Sequence, residues 1–74
     1  MSRLIRMDRT GHSTLAEWRA DDPATVEAAV EAFRRELDLG YLAMVTTGPG
    51  KAEQVREFPV DADTVILRRP IAGR

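Results

Sequence analysis

One stretch constrains this chain more than any other. Val26, Val30, Phe33 and Leu37 recur at spacings of four, three and four, the repeat of one face of an α-helix. Ala29 widens the stripe. Asp22-Pro23 reads as the start, with Asp as N-cap and Pro at the first helical position, where its missing N–H costs nothing. Leu39-Gly40 reads as the end, because glycine accepts the left-handed conformation that closes many helices. Glu31 and Arg35 form an i,i+4 pair on the solvated side. The spacing therefore predicts one long helix over residues 23–39. A helix with one apolar stripe must lay it against a second apolar layer.

That layer is a sheet. Residues 2–8 alternate, placing Arg3, Ile5 and Met7 on one face and Leu4, Arg6 and Asp8 on the other. Arg9-Thr10-Gly11-His12 interrupts them as a hairpin turn, with Gly11 free to take positive φ. Residues 13–18 form a second strand in which Thr14, Ala16 and Trp18 share a face, and the single tryptophan anchors the core. After the helix, residues 41–47 are rich in strand formers. Gly48-Pro49-Gly50-Lys51 is a loop. Residues 53–58 form a shorter, polar strand, at an edge or with one solvated face, stopped by Pro59, and 60–63 a connecting turn. Residues 64–69 end the sheet; the run Val65-Ile66-Leu67 suits a central strand buried on both faces. The class is α+β, a two-layer fold with one helix on a mixed four- to five-stranded sheet in ββαβββ order. It makes a single domain over 1–69, with a short C-terminal tail at 70–74.

The length of 74 residues buries only roughly 60% of the unfolded chain's surface. That leaves little room for a deep substrate pocket. There is no cysteine, which removes thiolate nucleophiles and cysteine zinc sites and fits a reducing, cytoplasmic setting. No apolar run nears the ~18 residues of a membrane span. The apolar stretch within the first eight residues is too short and too often charged for a signal peptide. Eleven basic and twelve acidic residues nearly cancel, which argues against nucleic acid as a partner. The bias toward Arg and Ala, with one Lys and no Asn, suggests a GC-rich, bacterial genome.

Chemistry-bearing motifs are few. His12 has no second ligand cluster beside it and reads as a solvated turn residue. Asp61-Ala62-Asp63 lacks calcium-loop spacing, and Asp8, Asp21 and Asp22 suit turns and caps. Gly50-Lys51 lacks the remaining positions of a phosphate-binding loop. No nucleophile–base or carboxylate pair stands out, so the chain reads as no enzyme and calls for no cofactor. Arginine gathers at both ends of the chain, at Arg3, Arg6, Arg68 and Arg69. Were the first and last strands adjacent and parallel, these side chains would gather on one region of the sheet. Arg6, Arg68 and Arg69 are the candidate protein-binding residues, since arginine's planar fork pairs with carboxylates on an acidic partner. Leu4, Leu15 and Leu42, if outward, would supply an apolar centre.

The element order, the length, the Arg9-Thr10-Gly11-His12 first turn and the ending Val65-Ile66-Leu67-Arg68-Arg69-Pro70-Ile71-Ala72-Gly73-Arg74 resemble the ubiquitin-like, β-grasp superfamily. The resemblance implies a protein-interaction module, either a modifier acting through its tail or an adaptor that never conjugates. It directs attention to Ala72, Gly73 and Arg74, and to an adenylating enzyme or an isopeptidase as partners. The tail departs from the modifier pattern: Gly73 stands alone, Arg74 follows it and would have to be removed, and Pro70 stiffens the approach. The alternative expectation is an accessory or structural subunit of a larger assembly, such as a phage or secretion particle.

Overall fold

The computed structural model describes residues 1–69. The expectations for the tail, including Ala72, Gly73 and Arg74, lie outside them. Five strands and one helix follow in the order β1 (Ser2–Asp8), β2 (Gly11–Trp18), α1 (Pro23–Asp38), β3 (Leu42–Gly48), β4 (Lys51–Val55) and β5 (Thr64–Arg68). The strands form one sheet in the spatial order β2-β1-β5-β3-β4. β5 lies parallel to β1 and antiparallel to β3, while β1/β2 and β3/β4 are antiparallel hairpins. The apolar run Val65-Ile66-Leu67 is thus central, and the polar strand β4 is an edge. Only Val65 and Leu67 are buried; Ile66 is half-buried on the other face, so β5 is not covered on both sides as expected.

Alternation sorts the strands into two faces. Leu4, Ala43, Val45, Val65 and Leu67 are buried and form one cluster with Ala29 and Phe33 of the helix. Trp18 completes it, and its indole N–H donates to the Val60 carbonyl at 3.0 Å, so the buried ring leaves no polar atom unpaired. The connection from β4 to β5 also serves the core. Phe58 lies between Trp18 and Phe33, with ring centroids 4.7 and 5.5 Å away, and Val60 and Ala62 pack beside it. Residues 53–58 are therefore not one strand. β4 starts two residues earlier and ends at Val55, because Gly48 pairs with Lys51 across a turn of only Pro49 and Gly50.

Three further expectations need correction. Thr14 does not share a face with Ala16 and Trp18. The β1/β2 register shifts between Leu4 and Ile5, so Ala16 faces Leu4 and Thr14 faces Ile5. A bulge at Leu15 turns the strand over by one residue. Leu4 and Leu15 do not face outward: Leu4 is fully buried and Leu15 packs against the core. Asp22 occupies the N-cap position but its side chain makes no capping bond. Thr25 ties the helix start instead, its hydroxyl accepting from the Arg19 N–H at 2.9 Å and donating to the Asp22 carbonyl at 2.8 Å.

The helix end is fully closed. Gly40 N–H donates to the Leu37 carbonyl and Tyr41 N–H to the Glu36 carbonyl, both at 3.0 Å; together they make a Schellman motif. Gly40 has φ of +100°, while a Cβ there would meet nothing within 4 Å. Gly40→Ala is therefore expected to cost about 1–2 kcal/mol through backbone strain alone, read as a lower urea midpoint at unchanged m-value. Phe33→Ala, which empties the centre of the core, is expected to cost about 3–5 kcal/mol. A melt close to that of the unaltered chain would remove Phe33 from the core.

Candidate protein-docking site

The candidate arginines divide between the two faces of the sheet. β1 and β5 are adjacent and parallel, but Arg6 and Arg68 point to opposite sides of the sheet. Arg6 lies on the helix side, where Nη1 donates to Glu36 Oε1 at 3.2 Å. Its Nε stands 3.9 Å from Asp8 Oδ2, too far for a hydrogen bond, and is buried without another partner. Arg69 joins this group through Tyr41: the Arg69 and Arg6 guanidinium carbons lie 5.6 and 5.9 Å from the ring centroid, within cation–π range. Arg3 pairs across the hairpin with Glu17 at 3.8 Å, both exposed, an arrangement that contributes little. Arg68 is exposed on the uncovered face and makes no ion pair among the described residues.

Glu36 is a residue the sequence pattern hides. It follows Ala29 and Phe33 at spacings of seven and three, on the buried stripe, and is only 6% exposed. Apolar periodicity does not register a carboxylate at a stripe position. Here the carboxylate is tolerated because Arg6 reaches it from the neighbouring strand. The pair ties the last turn of the helix to β1 and occupies Arg6, leaving its guanidinium committed within the fold.

The uncovered face is built from the residues that alternate with the core. Its middle row runs across the central strands as Ile5, Ile66 and Met44, which are register partners. Thr14 and Gln54 flank the row on the edge strands. A second row carries His12 opposite Met7, then Arg68 opposite Leu42. Met7, Met44, Thr46, Ala52, Ile66 and Arg68 line an open depression of about 330 Å³. Met7 is 44% exposed, and Ile5, Leu42, Met44 and Ile66 are half-buried with no second layer over them. The apolar centre expected from Leu4, Leu15 and Leu42 is therefore made mostly by Met7, Met44 and Ile66. The alternation in residues 2–8 places Met7 opposite Leu4, but the faces of β3 and β5 follow only from their pairing.

Among the described residues no three His, Asp or Glu side chains gather into a metal site. Among the described residues no helix is long and apolar enough to cross a membrane. No protein-family model, curated protein or solved structure matches the chain.

Two predictions concern the polar contacts around β1. Glu36→Ala is expected to cost about 1–3 kcal/mol, because it leaves Arg6 partly buried beside an empty position. Most of that loss should vanish in an Arg6→Leu background, as a double-mutant cycle by urea unfolding reads directly. Asp8 caps the first hairpin: its Oδ1 accepts from the Thr10 hydroxyl at 2.6 Å and the Thr10 N–H at 2.9 Å. These bonds, aided by the Arg6 charge, hold its carboxyl below the usual aspartate range. The stability gained is complete above the unfolded-state pKa of about 3.9 and is lost as pH falls through the lowered folded value. The stability difference between the unaltered chain and Asp8→Asn should therefore shrink on acidification, measured by denaturant midpoints from about pH 6 downward.

Proposed function

We propose that this chain is a β-grasp, ubiquitin-like interaction module that docks partner proteins on the uncovered face of its sheet. The β-grasp reading is supported by the helix crossing between two hairpins and by the parallel contact of the first and last strands at the sheet centre. The docking reading is carried by one observation: an apolar row crosses the central strands without cover and ends beside Arg68, whose charge is not matched within the described residues. Apolar centres with polar rims and arginine are what protein interfaces present. The partner that suits this face brings apolar side chains for the depression and a carboxylate for Arg68.

Arg6 and Arg69 serve the reading less directly. Arg6 is engaged by Glu36, so its loss acts on the fold first. Arg69 lies against Tyr41 at the end of β5 and leads the chain toward Ala72, Gly73 and Arg74. A modifier would use that tail with an adenylating enzyme to attach Gly73, and an isopeptidase to release it, after removal of Arg74. An adaptor would keep the tail intact. Intact-mass measurement on the chain purified from its own cells separates the two: conjugates or a chain shortened by Arg74 support the modifier. Only free, full-length chain leaves the adaptor or, where it travels within a large particle, the accessory subunit.

The face itself is tested by affinity capture from those cells. Ile66→Asp places a charge in the apolar row and is expected to weaken partner binding by at least about 30-fold, the effect of losing a central anchor. Some loss of stability is expected at this half-buried strand position, so the variant is compared at a temperature where a melt shows it folded. Arg68→Glu is expected to slow association and flatten its salt dependence. Recovery of the same partners at the same level by both variants would place docking elsewhere.

A further inference from the structure

The chain has no cysteine, so its three methionines carry all of its sulfur. Two of the three, Met7 and Met44, line the same depression. The buried core that joins helix to sheet contains none. Such an arrangement separates oxidisable side chains from the packing that holds the fold. We propose that Met7 is an oxidation site that gates the uncovered face, its sulfoxide closing the depression to apolar partners while the fold stays intact. This rests on the docking reading above and adds a means of regulating it.

The co-reactant is a hydroperoxide. The Met7 sulfur attacks the outer peroxide oxygen, an S–O bond forms and the O–O bond breaks. The leaving oxygen departs with the electron pair and takes a proton to become water or an alcohol. Sulfur is oxidised by two electrons and the peroxide is reduced by two. Met7 is 44% exposed, open to an oxidant from solvent, whereas Met44 is half-buried beneath the same surface. Within the depression, oxidation should therefore take Met7 before Met44; Met1, 72% exposed, is open to the same oxidant but does not line the depression.

The product changes the surface in two ways. A flexible apolar side chain becomes a polar one, which disfavours apolar contact. Its new oxygen is also a strong acceptor placed beside Arg68, which lines the same depression. A guanidinium that donates to that oxygen is no longer free for a partner's carboxylate. One modification thus removes the apolar rim and engages the cation together.

The test uses the full chain with a probe that matches the depression, 8-anilinonaphthalene-1-sulfonate, whose rings suit the apolar row and whose sulfonate suits Arg68. In the reduced chain, amide shifts on titration are expected at Met7, Met44, Ile66 and Arg68. After mild hydrogen peroxide treatment, peptide mapping should place added oxygen on Met7 before Met44, with oxidation of the exposed Met1 scored separately. Probe binding should then fall about tenfold, the loss of one apolar side-chain end. Methionine sulfoxide reductase should restore it, and the melting temperature should be unchanged throughout. Met7→Leu, which still carries the exposed Met1, should bind the probe and keep that binding under the same treatment. Unaltered probe binding by the Met7 sulfoxide, or a lowered melting temperature that accounts for the loss, overturns the proposal. Absence of any probe shift on this face in the reduced chain overturns the docking reading, and this proposal with it.

Discussion

A helix has one apolar stripe and a sheet has two faces, so a two-layer fold with one helix leaves one face of its sheet to water. In this chain that inequality shapes everything else. The stripe around Ala29 and Phe33 covers Leu4, Ala43, Val45, Val65 and Leu67. Nothing in the described chain covers Ile5, Leu42, Met44 and Ile66. The connection after β4 adds Phe58, Val60 and Ala62 to the covered side and none to the other. The sheet therefore concentrates its packing on one face, while the remaining apolar side chains of its central strands stay at the surface.

Two polar devices let so small a core close. The Schellman turn at Gly40 satisfies the last carbonyls of the helix and returns the chain into β3. The Arg6–Glu36 pair brings a buried carboxylate to a stripe position that an apolar residue would otherwise fill. Such pairs contribute little net stability, yet removing one partner is costly. Its consequence for function is a division of labour among the arginines. Arg6 is held inside the fold, Arg69 lies on Tyr41 at the end of the sheet, Arg3 pairs with Glu17 on the uncovered face, and Arg68 is on that face without an ion pair among the described residues.

Much of the architecture was legible in the sequence, and the reasons are local. The helix was marked by its spacing and by Gly40, the first hairpin by Gly11, and β5 by three consecutive apolar residues. The parts that were not legible depend on pairing between distant segments. The bulge at Leu15 reverses the faces assigned to Thr14, and no residue there signals it. Phe58 joins the core from a connection because β4 stops early, which the pairing of Gly48 with Lys51 decides. Glu36 has the spacing of a core residue and the chemistry of a surface one. The candidate site suffered most: end-of-chain arginines near each other in sequence pattern part company once β1 and β5 are set in register. The depression at Met7, Met44, Ala52 and Ile66 exists only through four strands that meet from both halves of the chain.

The central claim is that the helix-covered face is spent on folding and the opposite face is kept for partners. Chemical-shift mapping of the isotope-labelled chain, with the partner that the unaltered chain captures, tests it most directly. The account predicts shifts concentrated at Ile5, Met7, Leu42, Met44, Ile66 and Arg68. Shifts confined to the solvated side of the helix, at Glu27, Glu31 and Arg34, with the sheet face unmoved, would contradict it.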